Sequence, residues 1–256
     1  LHDALPICLF LLAIIFAGCK NEITYETRDG YTLIHQSRGA TLGYSTSPIL
    51  MVDGFAFKDL NRNGSLDVYE DWRLPAVKRA RDLAGQLPID RLCGLMLYSK
   101  ATDADSVNLT QRQTDYLTKD YIRHMLVRAV KDPKTAAQWS NNIQILCESE
   151  PYGIPSNNST DPRNYTNGKA STGAYGHEPD GEFDPSGASD ISKWPREVGM
   201  AATFDPALVY AHGEVVSAEY RALGITTALS PQIDLSTDPR WRRFYGSFSE
   251  SPELSR

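Results

Sequence analysis

Positive charge is in short supply in this sequence. Its 26 Lys and Arg stand against 32 Asp and Glu, a net charge of −6 over 256 residues, and no basic block offsets the deficit. That argues against a nucleic-acid backbone as partner, which clustered cations have to meet; neutral or weakly charged ligands stay open. Cysteine is scarce too. Of the four, Cys8 and Cys19 lie in an N-terminal apolar segment. Cys93 and Cys147 sit in apolar surroundings that suit buried free thiols better than a disulfide or a metal pair. No apolar run reaches the roughly 20 residues of a bilayer span. What is present, 41% hydrophobic and 10% aromatic residues, describes an ordinary globular protein. The length allows one large domain or two small ones, with ample chain for a core.

An initiator Met is absent as well. Residues 1–7 (LHDALPI) resemble a translated sequencing adapter joined to a reading frame. "CLFLLAIIFAG" follows, too short to cross a bilayer and of the length of a signal-peptide core. It ends Phe16-Ala17-Gly18-Cys19, which resembles a bacterial lipobox with Phe where Leu is commoner. On that reading the chain is cut before Cys19, whose thiol and amine are lipidated. A plain secretory signal, or a buried apolar strand, is the alternative. Either exported form leaves the cytoplasm for the periplasm, outer membrane or cell surface, and touches a membrane only through a lipid anchor.

Residues 20–57 mix strand-like runs ("GYTLIHQ", "PILMVDGFAF") with turn residues and read as a small leader. From Pro75 the pattern turns helical. Val77, Ala80, Ala84 and Leu87 share a face, and Pro75 suits the first helical position. "IRHMLVRAV" reads as a buried strand. A helix follows it, with Asp132 as N-cap and Pro133 after it. "GIPSNNS" (153–159) is the next short strand, before a Gly/Ser/Asp-rich loop from about 162 to 192 of the kind that is functional or disordered. Asp205, Pro206 and Gly224 then bracket a helix with Leu208, Ala211, Val215, Ala218 and Ala222 as its stripe. "ITTALSPQIDL" is a strand, and Ser251-Pro252 starts another helix. Alternating strands and helices are the grammar of a parallel α/β fold. Polar residues gather after each strand, where an α/β barrel binds ligands. About three or four of the eight barrel strands are accounted for, as in a truncated gene.

Three constellations carry chemistry. "DLNRNGSLDVYE" follows the calcium-loop template, with Asp59, Asn61, Asn63 and Asp67 in the first, third, fifth and ninth places. Gly64 makes the turn, Ser65 offers a carbonyl, and Glu70 takes the twelfth place, where a carboxylate binds bidentately. The alternative is a surface turn whose Asp and Asn side chains satisfy local backbone without metal. A dockerin-like contact would need a second copy. In "GIPSNNSTDPRN", Asp161 ends a strand, flanked by Asn157, Asn158 and Ser159. An ionised carboxylate there can accept from two sugar hydroxyls, or merely close an Asx-turn. Near the end, Asp234 and Asp238 precede Arg240, Trp241, Arg242 and Arg243. Arg offers forked donors and Trp a flat apolar face; a structural Asp238–Arg240 pair closing the loops is the alternative.

In order and spacing, "FKDLNRNGSLDVYEDWRLP", "GIPSNNSTDPRN", "WPREVGMAATFDPALV" and "LSPQIDLSTDPRWRR…SFSESP" resemble the N-terminal domain of glycoside hydrolase family 3. The bacterial secreted β-glucosidase-like members are the nearest in pattern, and the resemblance covers roughly Gly54 to Arg256. It implies a partial TIM-like (β/α)8 barrel over residues 58–256, with residues 1–19 adapter and signal and 20–57 the leader. It also implies retaining, exo-acting hydrolysis of terminal β-D-glucosyl residues of β-glucosides or oligosaccharides, without a catalytic cofactor. Asp161 matches the carboxylate that holds the terminal sugar's hydroxyls, and Arg243 the arginine beside it. Asp238, Arg240 and Trp241 match the supporting Asp-Pro-Arg-Trp loop. Arg242 stands where the family usually has Gly, Gly246 where Glu is frequent, and Ser249-Glu250-Ser251 in place of Gly-Glu-Asp. The nucleophile and acid/base are expected beyond Arg256, so the 256 residues alone are expected to be inactive. The rival reading is a non-catalytic, calcium-stabilised carbohydrate-binding lipoprotein.

Overall fold

The computed structural model describes residues 21–160, 192, 194–241 and 244–256. Cys8, Cys19, Asp161, Arg242, Arg243 and all of the Gly/Ser/Asp-rich stretch from 162 to 192 except Ser192 lie outside those residues.

The first part is antiparallel. Strands β1 (Ile23–Thr27), β2 (Thr32–Gln36) and β3 (Leu42–Tyr44) form one sheet, and β4 (Ile49–Val52) and β5 (Phe55–Lys58) form a hairpin. The hairpin turns on Asp53-Gly54, both at positive φ (53° and 79°), the geometry of a two-residue type I′ loop whose twist matches the strands. Gln36 ties the two sheets together. Its amide accepts from Ala56 N at 2.7 Å and donates to Ala40 O at 2.8 Å. Trp72 covers the hairpin, stacking on Phe57 at 5.2 Å and meeting Phe55 edge-on at 5.7 Å. A Cβ on Gly39 would come within 2.8 Å of the Trp72 ring, so only glycine lets the chain pass there.

Next come α1 (Ala76–Gln86), α2 (Ile89–Leu95), β6 (Thr102–Ala104), α3 (Gln111–Thr118), β7 (His124–Val130) and α4 (Pro133–Ser149). After them stand β8 (Asn157–Thr160), α5 (Glu197–Ala201), α6 (Pro206–Ala222), β9 (Thr227–Ala228) and α7 (Pro252–Ser255). Strands β6-β7-β8-β9 make one four-stranded sheet, parallel at every pairing. The architecture is mixed α/β. Trp139, Ile143 and Cys147 of α4, Leu117 of α3, Met125 and Val127 of β7, and Tyr220 near the end of α6 pack into one buried core. Burial pushes the Cys147 thiol up to about 11, which leaves it protonated and inert.

Capping follows the sequence closely. Asp132 accepts from Thr135 N, Asp205 from Ala207 N and Leu208 N, and Ser251 from Leu254 N. Gly224 adopts φ 76° just past α6, as a left-handed helix stop requires. A Thr110–Gln113 capping box starts α3.

Other expectations are corrected. Pro75 is the N-cap of α1 and not its first residue. None of that helix is buried and Val77 is 72% exposed; only Leu87, beyond its end, reaches the interior. The α6 stripe is rotated, because Val216, Tyr220 and Leu223 face the core while Ala218 and Ala222 are exposed. The bulky residues, with more area to hide, set the phase. Cys93 is exposed. The strand expected over 153–159 starts only at Asn157, because Tyr152 and Gly153 take positive φ.

Glu148, near the end of α4, fastens the antiparallel part to the parallel sheet. Its carboxylate accepts from the backbone N–H groups of Ser45, Thr46 and Ser47 at 2.9–3.3 Å, with Lys58 Nζ 3.8 Å away. Burial pushes its pKa up, but the Lys58 charge and the N–H donors outweigh that and hold it below the ordinary value.

Candidate functional site

Pairing of Thr160 with Ala228 aligns the carboxyl ends of β8 and β9 at one edge of the sheet, while β7, whose Val127 pairs with Thr160, runs on to Val130. Neighbouring strands lie about 4.8 Å apart, so the segments leaving β8 and β9 start side by side. Asp161 is the next residue after Thr160 in the sequence. Downstream of β9 runs the loop with Asp238, Arg240 and Trp241.

In that loop Asp238 accepts a fork from Arg240, Nε at 3.0 Å and Nη2 at 2.7 Å, and also Arg240 N at 2.9 Å. The guanidinium beside it holds the Asp238 carboxyl below its usual range. The Arg240 side chain is 88% exposed, so the pair is a solvent-facing clasp on a turn that Trp241 N closes onto Asp238 O at 3.0 Å. A groove of about 440 Å³ is lined by Leu235, Thr237, Asp238, Arg240 and Trp241. A more enclosed cavity of about 340 Å³ lies elsewhere, between α6 and the segment from Ile225 to Pro231. Its lining is mainly apolar and includes Met200, Val216 and Phe248.

The amides expected to flank a ligand beside Asp161 are otherwise engaged. Asn158 is 1% exposed and points to the helix side, where its Nδ2 donates to Ser140 Oγ of α4 at 2.8 Å. Ser159 and Thr160 are fully buried. Successive strand residues face opposite ways, which is why a compact polar run in the sequence is split between two faces. Asn157, on the other face, lies 3.3 Å from His124 Nδ1 through its Nδ2, and its Oδ1 accepts from the hydroxyls of Thr226 and Thr227.

The Asp59–Glu70 loop closes on itself. Asp59 accepts from Asn63 N at 3.0 Å and Gly64 N at 2.9 Å. Glu70 accepts from Leu60 N at 2.7 Å, Asn61 N at 3.3 Å and Asp67 N at 3.0 Å. The side-chain amides of Asn61 and Asn63 both donate to Asp67 Oδ2, and Ser65 N donates to Asn63 Oδ1 at 2.8 Å. Asp59 and Glu70 are buried, at 2% and 4% exposure. Burial raises the Glu70 pKa, against the N–H donors that lower it. Among the described residues no group of three or more His, Cys, Asp or Glu side chains forms a metal cluster. A cation here would therefore draw on amide and carbonyl oxygens too, as the template requires.

Two features escaped the sequence reading. Glu148 had no signal, since a Glu in the last turn of an amphipathic helix is ordinary. The buried role of Asn158 had a faint one: "NNST" directly follows "GIPS" where a parallel-sheet strand would be apolar. No helix among the described residues is long and apolar enough to cross a membrane.

Residues 186–256 match the glycosyl hydrolase family 3 N terminal domain. A periplasmic beta-glucosidase/beta-xylosidase of Dickeya chrysanthemi is 38% identical over 224 residues, 85% of this chain and 32% of the relative. Beta-glucosidase C of Emericella nidulans is 31% identical over 203 residues, 77% of this chain and 30% of that protein. The chain thus spans about a third of the length of these curated relatives. Among solved structures, a family 3 beta-N-acetylglucosaminidase from Paenibacillus sp. str. FPU-7 aligns with a TM-score of 0.46 and 17% identity, over 66% of this chain and 29% of that one.

Proposed function

The chain belongs to glycoside hydrolase family 3, and from that premise we propose that it serves a retaining, exo-acting β-glucosidase-like hydrolase acting on terminal β-D-glucosyl residues. Within it these residues supply sugar recognition. The nucleophile and the acid/base, two carboxyls about 5–5.5 Å apart in a retaining enzyme, are assigned by the resemblance to sequence past Arg256. Asp161 accepts hydrogen bonds from two hydroxyls of the non-reducing sugar, Arg243 donates to the same ring, and Trp241 offers an apolar face for stacking. The alignment of the β8 and β9 carboxyl ends at one sheet edge supports this reading, because it starts both recognition segments side by side. The experiment is Asp161→Ala in the full-length gene product, assayed on an aryl β-glucoside. We expect kcat/KM to fall at least about tenfold, since hydroxyl contacts tighten in the transition state. Kinetics like the parent's would remove Asp161 from the site.

We further propose that the Asp59–Glu70 loop holds a structural calcium ion. The chemistry of the donor set fits, with hard oxygens from Asp59, Asn61, Asn63, Asp67 and Glu70 and the carbonyl of Ser65. In the structure the two Asn amides donate to Asp67, a partial neutralisation that a cation would provide in full. Bound there, calcium would tie β5 to α1, because Arg79 of α1 donates to Tyr69 O at 2.8 Å and Asp82 accepts from Tyr69 N at 3.1 Å. Calorimetric titration should show one site per chain that Glu70→Gln abolishes. No heat at millimolar calcium would leave only the turn. Export to the periplasm or surface, with Cys19 as a lipid anchor, completes the proposal; Cys19→Ala should release the protein from membranes.

A further inference from the structure

Strand β8 is chemically out of place. Parallel strands buried on both faces are ordinarily runs of Val, Ile and Leu. This one reads Asn157-Asn158-Ser159-Thr160, and its last three residues are at most 1% exposed. Their polar groups are matched. Asn158 Nδ2 donates to Ser140 Oγ of α4 at 2.8 Å and to Gly224 O, at the α6–β9 turn, at 3.3 Å; its Oδ1 accepts from Ser156 Oγ at 2.8 Å. Ser140 Oγ in turn donates to Gly224 O at 3.1 Å. A Cβ on Gly224 would lie 2.0 Å from Ser140 Oγ, so the network depends on a glycine at that turn. Gln144 of α4 holds Ser156 through both its N–H and its carbonyl. Toward the neighbouring strand β7, Thr160 Oγ1 donates to Val127 O at 2.9 Å and Ser159 Oγ to Met125 O at 3.3 Å.

Apolar side chains would bury as well, but they tolerate small slips, whereas directional bonds to three separate elements define one position. A four-residue strand held this way is a rigid support for whatever its end carries, and the next residue is Asp161. We infer that Asn158 is a positioning residue for substrate recognition. Through Ser140, Ser156 and Gly224 it locks strand β8, with Thr160 as a second tie, immediately before Asp161 in the sequence. Recognition groups need placement within about 0.5 Å, supplied by residues that are themselves locked. This inference rests on the sugar-gripping role proposed for Asp161.

The test is a double-mutant cycle in the full-length gene product, with an aryl β-glucoside as substrate and circular dichroism confirming that each variant is folded at the assay temperature. Asn158→Leu keeps the branched arrangement of four side-chain heavy atoms, with bulkier methyl groups, and deletes the network. It should lower kcat/KM about fivefold and raise KM, a change that a reduced folded fraction alone does not produce. In the Asp161→Ala background the same change should cost less than about twofold, because the group it positions is gone. Thr160→Val, which removes one bond and keeps the shape, should show the same coupling at about half the size and carries the test where Asn158→Leu does not fold. Fully additive losses, or kinetics of the folded single variants within about twofold of the parent, overturn the positioning role while Asp161→Ala stays impaired. Parent-like activity of Asp161→Ala alone instead overturns the sugar-gripping role, and the positioning role with it.

Discussion

Strands β7 and β8 are neighbours in the same parallel sheet, share helix α4 as cover, and solve the problem of burial in opposite ways. β7 presents Met125 and Val127 to Trp139 and Ile143 in the common core. β8 presents Asn158 to Ser140 on the same helix and spends its side chains on hydrogen bonds. Apolar burial supplies most of the stabilisation and little directionality. A satisfied polar network contributes less net free energy and more definition of place. The adjacent strands thus divide the work, one carrying stability and the other carrying position next to the residue proposed to bind sugar.

Substitutions that separate the two terms test this division. Trp139→Ala empties the packing side and should cost roughly 3–5 kcal/mol of unfolding free energy in urea titrations. A loss below about 1 kcal/mol would mean the core around β7 is looser than its near-zero exposure implies. The polar side should give less. Glu148→Gln on α4 keeps the shape and removes the charge that collects three backbone N–H groups, for a loss of roughly 1.5–3 kcal/mol. Its pH dependence has a definite sign. The folded-state pKa lies below the ordinary 4.5, so the stabilisation is present above that value and is lost as pH falls through the lower folded value. Hydrogen exchange of the Ser45, Thr46 and Ser47 amides should therefore quicken below about pH 4.5 in the parent relative to neighbouring strands, and be faster than the parent's at neutral pH in Glu148→Gln. Smallest of all should be Ser159→Ala, which removes a single 3.3 Å bond to a strand carbonyl, at about 0.5–1 kcal/mol. A Ser159→Ala loss equal to that of Trp139→Ala would erase the distinction between the strands.

Much of the frame was legible in sequence. Asp132-Pro133, Asp205-Pro206 and Ser251-Pro252 mark helix starts because capping uses only residues adjacent in the chain. Asp53-Gly54 carries an equally local hairpin signal, yet "PILMVDGFAF" reads as one strand-like run, and the structure splits it there into β4 and β5. The family motifs were readable too, and residues 186–256 match the family's N-terminal domain. Less legible was which face of a helix is buried. The α1 stripe found no cover and the α6 stripe turned toward Tyr220, since facing depends on neighbours that local periodicity does not name.

By itself, the sequence determined the strand-and-helix alternation, the caps, the closing of the Asp59–Glu70 loop and the family, all of which depend on contacts a few residues apart or on ordered motifs. Only the tertiary structure decided that Asn158 faces a helix and that Glu148 clasps a loop about a hundred residues away in the chain. The physical reason is that a polar side chain's role is set by the donors and acceptors that folding brings within 3 Å of it, and those come from distant parts of the sequence.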